Sequence, residues 1–246
     1  MANKIRILKE TILMAINLTK NQGINLTKDV EGVEEALKTI KLGCGWQASD
    51  SGYVTITRTV TKTRRTGGFL GFGGTIETYE EPATEEVYVG NIDVDASVFA
   101  FKNGTLVGEC TFRNQTMKNR VGKTVAKSSG DDTVGSRGKN KSDNETVTIN
   151  LENAVGFADT LYLALNIFQA KSKGQHFNMI NNSYVRVYDD KGIELAYFNL
   201  AEDYDKKTGI VVGKLVERNG KFEFVALGDG VIVSDLRDLA SKSKRY

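Results

Sequence analysis

Along most of the chain apolar and polar residues alternate with a period of two. The clearest runs are YVTITRTVTKT (53–63), NIDVDASVFAF (91–101), SYVRVYD (183–189) and GIVVGKLVER (209–218). Strict alternation puts one side-chain set on each face of an extended strand, so these segments read as strands with one face buried. The runs are separated by turn chemistry. Lys102-Asn103-Gly104, Asp190-Lys191-Gly192 and Arg218-Asn219-Gly220 read as hairpin loops, and the Asn-Gly pairs supply the positive φ that tight hairpins need. INLTK occurs at 16–20 and again at 24–28, which reads as a hairpin with similar arms.

Helical periodicity is scarce. SDLRDLASKSK (234–244) predicts a C-terminal helix capped by Ser234, with Leu236, Leu239 and Ala240 on one face. VEEALKTI (33–40) is a shorter helix candidate that runs toward a strand. Roughly a dozen strands with one or two short helices predict an all-β sandwich.

Two segments depart from the pattern. Residues 48–90 read as a long inserted hairpin: TVTKTRR rises, GGFLGFGG turns and TIETYEE returns. Arg64 and Arg65 would face Glu77, Glu80 or Glu81 across its ladder. Its tip carries Phe69, Leu70 and Phe72 among glycines. Such a tip either folds back on the body or meets a membrane surface or a protein partner, including a second copy of the chain, and the second reading is favoured. Residues 117–145 are polar, rich in glycine and serine and almost free of large apolar groups, which predicts a long mobile loop.

Composition narrows the class. At 246 residues one large sandwich can bury a core without disulfides or a structural metal. Thirty-three basic against 31 acidic residues leave a net charge of +2, so no global field draws the chain to nucleic acid or anionic lipid. Cys44 and Cys110 sit in strand-like runs and read as buried reduced thiols. The N-terminal stretch is broken by Lys9 and Glu10, too early for a secretory core. A cytoplasmic location is the expectation.

Enzymatic constellations fail one by one. His176 is the single histidine, which removes histidine metal clusters and reads as a satisfied loop residue. Gly122-Lys123-Thr124 ends like a phosphate-binding loop, but Met117 stands where that motif needs glycine. Gly43-Cys44-Gly45 resembles a dinucleotide turn, yet a strand rather than a helix follows. What remains is carboxylates: Asp93 and Asp95, Asp131 and Asp132, then Asp143, Asn144 and Glu145 at the end of the polar segment. Charge pattern alone favours unrelated, solvated acids. If these groups converge, each pair of charges in contact costs about 4 kcal/mol near a protein surface, and a hard cation such as Ca2+, which takes six to eight oxygens, removes that cost.

The order of short motifs adds a resemblance. Gly43-x-Gly45-Trp46 followed by Asp93-Val94-Asp95-Ala96-Ser97 resembles the "GLGW…DLDAS" opening of the TerD family. Phe112-x-Asn114 resembles its "FYN" strand, Gly130-Asp131-Asp132 its "GDN", and Asp143-Asn144-Glu145 the end of its acidic "DGDDE" loop. NIFQAKSKGQHFNMINNSYVRVYD (166–189), GIELAYFNLAED (192–203) and GKLVERNGKFEFVALGDG (213–230) follow in the family's order. MAINLTK from Met14 is similar to the family's usual start, leaving 1–13 as an extension before a domain at 14–246. The resemblance implies a calcium-binding β-sandwich with a role in bacterial or phage stress response, including tellurite resistance, and no catalysis. Carried over by position, its ligand set is Asp93, Asp95, Asp131, Asp132, Asp143, Asn144 and Glu145. One departure concerns charge: residues 118–141 hold seven Lys/Arg against two Asp, with Arg137, Lys139 and Lys141 where the family is acidic. Two other classes stand beside the calcium module: a structural or assembly protein, of phage type, that uses the sandwich without metal, and an anion or nucleic-acid binder working through 118–141. That segment lacks aromatics for base stacking and ranks last.

Overall fold

The computed structural model describes residues 23–25, 27–30, 33–47, 52–67, 74–88, 90–136, 142–200, 204 and 206–246. The expectations for 1–13, for the first INLTK copy, for Phe69, Leu70 and Phe72, and for Arg137, Lys139 and Lys141 lie outside those residues. Strands are numbered along the chain. Edge to edge, the first sheet runs β1 (Gly23–Asn25), β16 (Lys221–Val231), β15 (Gly209–Arg218), β12 (Thr160–Ile167), β7 (Val94–Lys102) and β8 (Thr105–Cys110). The second runs β14 (Glu194–Asn199), β13 (Asn181–Asp189), β4 (Thr39–Gln47), β11 (Glu145–Asn150), β10 (Thr124–Ser128) and β9 (Thr116–Lys118). Two hairpins stand apart: β2 (Thr27–Val30) with β3 (Val33–Ala36), and β5 (Tyr53–Thr66) with β6 (Thr75–Tyr88).

The alternation read along the chain becomes the core. Ile40, Leu42, Cys44 and Trp46 of β4, Val147 and Ile149 of β11, and Val185 and Val187 of β13 face Ala96, Val98 and Ala100 of β7 and Leu161, Leu163 and Leu165 of β12. A second layer covers the other face of the first sheet. There Leu239 and Ala240 of the C-terminal helix pack with Phe99, Phe101, Tyr162 and Val211. Being covered on both faces, β7 is buried along almost its whole length, and its second half, Val98–Phe101, is continuously apolar for that reason. Asn103 (φ 49°) and Gly104 (φ 70°) turn β7 into β8, and Asn219 (φ 53°) and Gly220 (φ 78°) turn β15 into β16, the left-handed pair that a two-residue turn requires.

The structure corrects several readings. Residues 33–40 are not a helix; Val33–Ala36 pairs with β2 and Thr39 already opens β4. A single isolated turn of helix is unfavourable in water, and ladder pairing on both sides of Leu37 outweighs the propensity of the Glu-Glu-Ala run. The second INLTK copy is split between β1, which pairs with β16, and β2, which pairs with β3, while the expected pairing with the first copy lies outside the described residues. The polar segment is not one long loop: Thr116–Lys118 and Thr124–Ser128 form the β9–β10 hairpin at the edge of the second sheet. Met117, Val125 and Ala126 of its two strands are buried, while Val121 in the turn is exposed, and three such anchors outweigh the loop composition around them. The inserted hairpin is present, with Arg64 directly across from Glu77, but Arg65 lies opposite Ile76 and not an acid. His176 is half-buried and precedes a 3-10 turn at Phe177–Met179.

Three α-helices are present among the described residues: α1 (Leu151–Ala154), α2 (Ala170–Lys173) and α3 (Leu236–Ser243). The cap of α3 is Asp235, not Ser234. The Asp235 side chain accepts the Asp238 backbone N–H at 2.9 Å, while Asp238 reaches back to the Ser234 N–H at 3.0 Å. The Ser234 hydroxyl makes only long contacts of 3.4 and 3.5 Å. Asp235→Ala is expected to lower stability by about 1 kcal/mol, the usual value of a helix N-cap, and Ser234→Ala by less than half of that, as read from urea unfolding. Equal losses would contradict the assignment of the cap.

Candidate metal site

Asp93 lies just before β7 and Asp95 is that strand's second residue. Asp131 belongs to the stretch that follows β10. The fold brings one carboxylate oxygen of each within 4.8 Å of the other two. Asp93 is 8% exposed and Asp95 1%. Asn166 faces Asp95 across the β7–β12 ladder and donates its amide to Asp95 Oδ2 at 3.1 Å. Asp93 Oδ1 is buried with no hydrogen-bond partner among the described residues. The backbone beneath is pinned from two sides: Trp46 Nε1 donates to the Ile92 carbonyl at 2.9 Å, and the Phe168 N–H donates to the Asp93 carbonyl at 2.9 Å.

The next acids frame the cluster. Glu145 is 2% exposed. It sits opposite Cys44 in the β4–β11 ladder, so it points between the sheets. Its Oε2 accepts the Ala96 N–H at 2.9 Å and its Oε1 the Asp132 N–H at 3.1 Å. Glu145 therefore ties the Asp131–Asp132 stretch to β7. Asp132 folds that stretch on itself: Oδ1 accepts the Val134 and Gly135 N–H groups, and Oδ2 accepts the Asn144 amide at 2.9 Å. Asn144 also donates to Ser136 Oγ and accepts the Trp46 N–H, both at 2.9 Å.

Asp143 is not brought to the cluster. Side chains alternate along β4: Cys44 points inward with Glu145, and Gly43 points outward. A Cβ on Gly43 would stand 2.2 Å from Asp143 Oδ2, and one on Gly45 would stand 2.5 Å from the Tyr184 ring. Glycine at both positions lets these groups lie flat on the outer face. There Arg186 grips both Asp143 oxygens, at 2.9 and 3.1 Å, and the hydroxyls of Tyr184 and Tyr188 donate to them at 3.0 and 2.9 Å. Of the seven positions, then, Asp93, Asp95 and Asp131 converge. Glu145 backs them with both oxygens engaged, Asp132 and Asn144 shape the loop, and Asp143 anchors its end on the far side of β4. Trp46, Asn166 and Arg186 were missed as site residues. The alternation of SYVRVYD already put Tyr184, Arg186 and Tyr188 on one face, opposite Val185 and Val187, and that signal could have shown an outward polar cluster.

The electrostatics follow from crowding in a water-poor corner. Burial first, then the charges of Asp93, Glu145 and Asp131, push Asp95 up to about 8 against the Asn166 hydrogen bond. Burial raises Glu145 to about 7, although the Ala96 and Asp132 N–H groups oppose it. Burial and Asp131 raise Asp93 to about 6, with Lys173 acting the other way. Burial would raise Asp132 too, but the Gly135, Asn144 and Val134 donors outweigh it and its carboxyl lies below the usual range. The Cys44 thiol, nearby, is pushed well up by burial and by Glu145, Asp143 and Asp95, so it offers no thiolate. The donors are all carboxylate oxygen, and Asp93 also has a buried Oδ1 without a hydrogen-bond partner among the described residues. That set fits a hard divalent cation such as calcium and gives nothing to a soft metal.

A family model described as the TerD domain matches residues 14–242. The chain belongs to the TerD domain family. Stress response protein SCP2 of Bacillus subtilis (strain 168) is 30% identical over 237 residues, spanning 93% of this chain and 99% of that protein. Tellurium resistance protein TerZ of Serratia marcescens is 30% identical over 214 residues, spanning 87% of this chain and 89% of that protein. The crystal structure of a homologue of telluride resistance protein (TerD) from Streptomyces coelicolor A3(2) aligns with a TM-score of 0.56 at 14% identity, covering 83% of this chain and 96% of that one. The shared architecture is therefore the TerD-type all-β fold, here with a β-hairpin between β4 and β7. Among the described residues no helix is long and apolar enough to cross a membrane.

The raised carboxyls give this TerD domain a signed pH response. In the unfolded chain these acids titrate near 3.8 and 4.5; in the fold Asp93, Glu145 and Asp95 titrate near 6, 7 and 8. Between those limits the native state holds more protons than the unfolded state, so the cluster's contribution to stability falls as pH rises. Thermal unfolding in chelator is expected at a lower midpoint at pH 8 than at pH 5.5, with the gap narrowed by millimolar calcium. A midpoint that rises over this window in chelator would contradict the arrangement.

Proposed function

We propose that this TerD domain is a calcium-binding, non-catalytic stress-response module that works in the cytoplasm as an interaction scaffold. One observation carries the reading: three carboxylates from two separate stretches meet within 4.8 Å, and Asp93 has a buried oxygen without a hydrogen-bond partner among the described residues. Asp93, Asp95 and Asp131 would hold the ion. Asn166 orients Asp95, while Glu145 and Asn144 hold the Asp131–Asp132 stretch in reach. Bound calcium supplies positive charge that neutralises the cluster. The protein's own groups do the rest: they keep the oxygens converged and join the stretch after β10 to β7. Coupling an ion to loop order in this way is how a metal site can control a binding surface without catalysis. The stress and tellurium-resistance setting is supported by what SCP2 and TerZ are called. Lys173, whose charge opposes the cluster at Asp93, lowers affinity by ordinary Coulomb repulsion.

Titration calorimetry with CaCl2 at pH 7.5 is expected to give one saturable event. It should release protons, visible as heats that differ between buffers of different ionisation enthalpy, because Asp95 and Glu145 are partly protonated before binding. Asp95→Asn and Asp93→Asn should each weaken binding at least tenfold, about 1.4 kcal/mol, while Asp159→Asn, remote from the cluster, should leave it unchanged. No calcium heat from the wild-type protein would sink the reading.

A further inference from the structure

The β5–β6 hairpin has two unlike faces. Register pairs share a face, and one face holds Val54, Ile56, Arg58, Val60, Lys62 and Arg64 with their partners on β6. This face contains the ion pairs Arg58–Glu85, Lys62–Glu81 and Arg64–Glu77. At its base Val54 is buried, and Ile56 and Val87 pack on the sandwich core, so this face is the one that seats the hairpin on the body. The opposite face is exposed at every position. Along β5 it reads Tyr53, Thr55, Thr57, Thr59, Thr61, Thr63, Arg65. Along β6 it reads Tyr88, Glu86, Thr84, Pro82, Glu80, Thr78, Ile76.

That exposed face is self-complementary. Its large apolar groups sit at the ends: the edge-to-face pair Tyr53 and Tyr88 at the base, 50% and 67% exposed, and Ile76 near the tip, 71% exposed. Its charges are Glu86 next to the aromatic pair, Glu80 opposite Thr61, and Arg65 across from Ile76. Neither Arg65 nor Glu86 is in an ion pair among the described residues. Threonines separate the two ends, with Pro82 opposite Thr59 and a single acid, Glu80, opposite Thr61. A two-stranded ribbon in water is marginally stable by itself, and the distal half of this one is exposed on both faces.

We propose that this face docks on the same face of a second copy of the chain, with the two hairpins antiparallel about a two-fold axis. The Arg65–Ile76 end of each hairpin then lies on the other's base, Arg65 meets Glu86 of the second copy, and Ile76 covers its Tyr53–Tyr88 pair. The 14-residue strands span about 45 Å at the rise of an extended chain, enough to hold two sandwich bodies at opposite ends without collision. The symmetry is isologous, so one surface suffices for both partners. A ribbon of this width buries on the order of 1,000 Å2 in total, the size of a weak or transient interface. The pairing would give the scaffold a second valency at a distance from the cation site.

Sedimentation velocity of the full-length protein tests it. The wild type is expected to dimerise with a dissociation constant in the micromolar range. Glu86→Arg and Arg65→Glu should each weaken the dimer about tenfold by setting like charges together, and the double reversal Arg65→Glu/Glu86→Arg should restore it. Circular dichroism controls that each variant is folded. A monomer at about 0.5 mM, far above the range expected of such an interface, would overturn the proposal. So would single reversals without effect, or a double reversal that stays monomeric. Binding of the monomer to neutral phosphatidylcholine vesicles through Ile76 and Tyr88, with no dimer formed, would also overturn it and assign the face to lipid.

Discussion

Mutual repulsion among buried carboxylates is the constraint on which this molecule turns. Asp93, Asp95, Asp131 and Glu145 occupy one corner, and Asp95 and Glu145 are almost without solvent. Two charges in contact there cost about 4 kcal/mol at an effective dielectric near 20, a large share of the stability of an ordinary domain. The fold does not relax this by turning the acids outward. It fixes the backbone under Asp93 through Trp46 and Phe168, holds Asp95 through Asn166, and ties the Asp131–Asp132 stretch down through Glu145 and Asn144. A protein that clamps like charges together this firmly leaves two ways to lower the energy: take up protons, which the raised carboxyls do, or take up a cation.

Rigidity in that corner comes from the sandwich. β4 serves three purposes along nine residues. Ile40, Leu42, Cys44 and Trp46 fill the core. Gly43 and Gly45 open the outer face to the Asp143–Arg186 clamp. The Trp46 ring and backbone N–H secure both the approach to Asp93 and the loop end at Asn144. Fixing Asp143 outside β4 and Glu145 inside it, two residues apart, stretches the chain between them across the sheet rim and leaves Asn144 aimed at Asp132.

Much of the fold was legible because period-two alternation survives in nearly every strand, and the Asn-Gly turns landed where the left-handed residues are. The errors have physical causes. Residues 33–40 carry helix-forming residues, but the adjacent β2 claims the backbone of Val33–Ala36 and the distant β11 and β13 claim it from Thr39 on. The β9–β10 hairpin looks like a loop because its anchors are only Met117, Val125 and Ala126. The site was harder to read. Motif order placed all seven acidic-loop positions in one set, yet ligand geometry depends on the face each residue takes. Asp143 and Glu145 share a parity along the chain, but only Glu145 is within β11, so the alternation that sends it inward does not govern Asp143. The partners that decide each role, Asn166, Arg186 and Trp46, lie in distant strands.

Trp46 is the only tryptophan, and its indole is hydrogen-bonded to the residue that precedes Asp93, so it can report on an ion held there. Terbium, a luminescent substitute for calcium, is the direct probe. Excitation of Trp46 is predicted to give sensitised terbium emission that saturates at one equivalent, is displaced by calcium, and disappears in Asp95→Asn while circular dichroism remains native. Absence of sensitised emission in the wild-type protein, or emission that neither calcium nor Asp95→Asn removes, would contradict a cation site built from Asp93, Asp95 and Asp131.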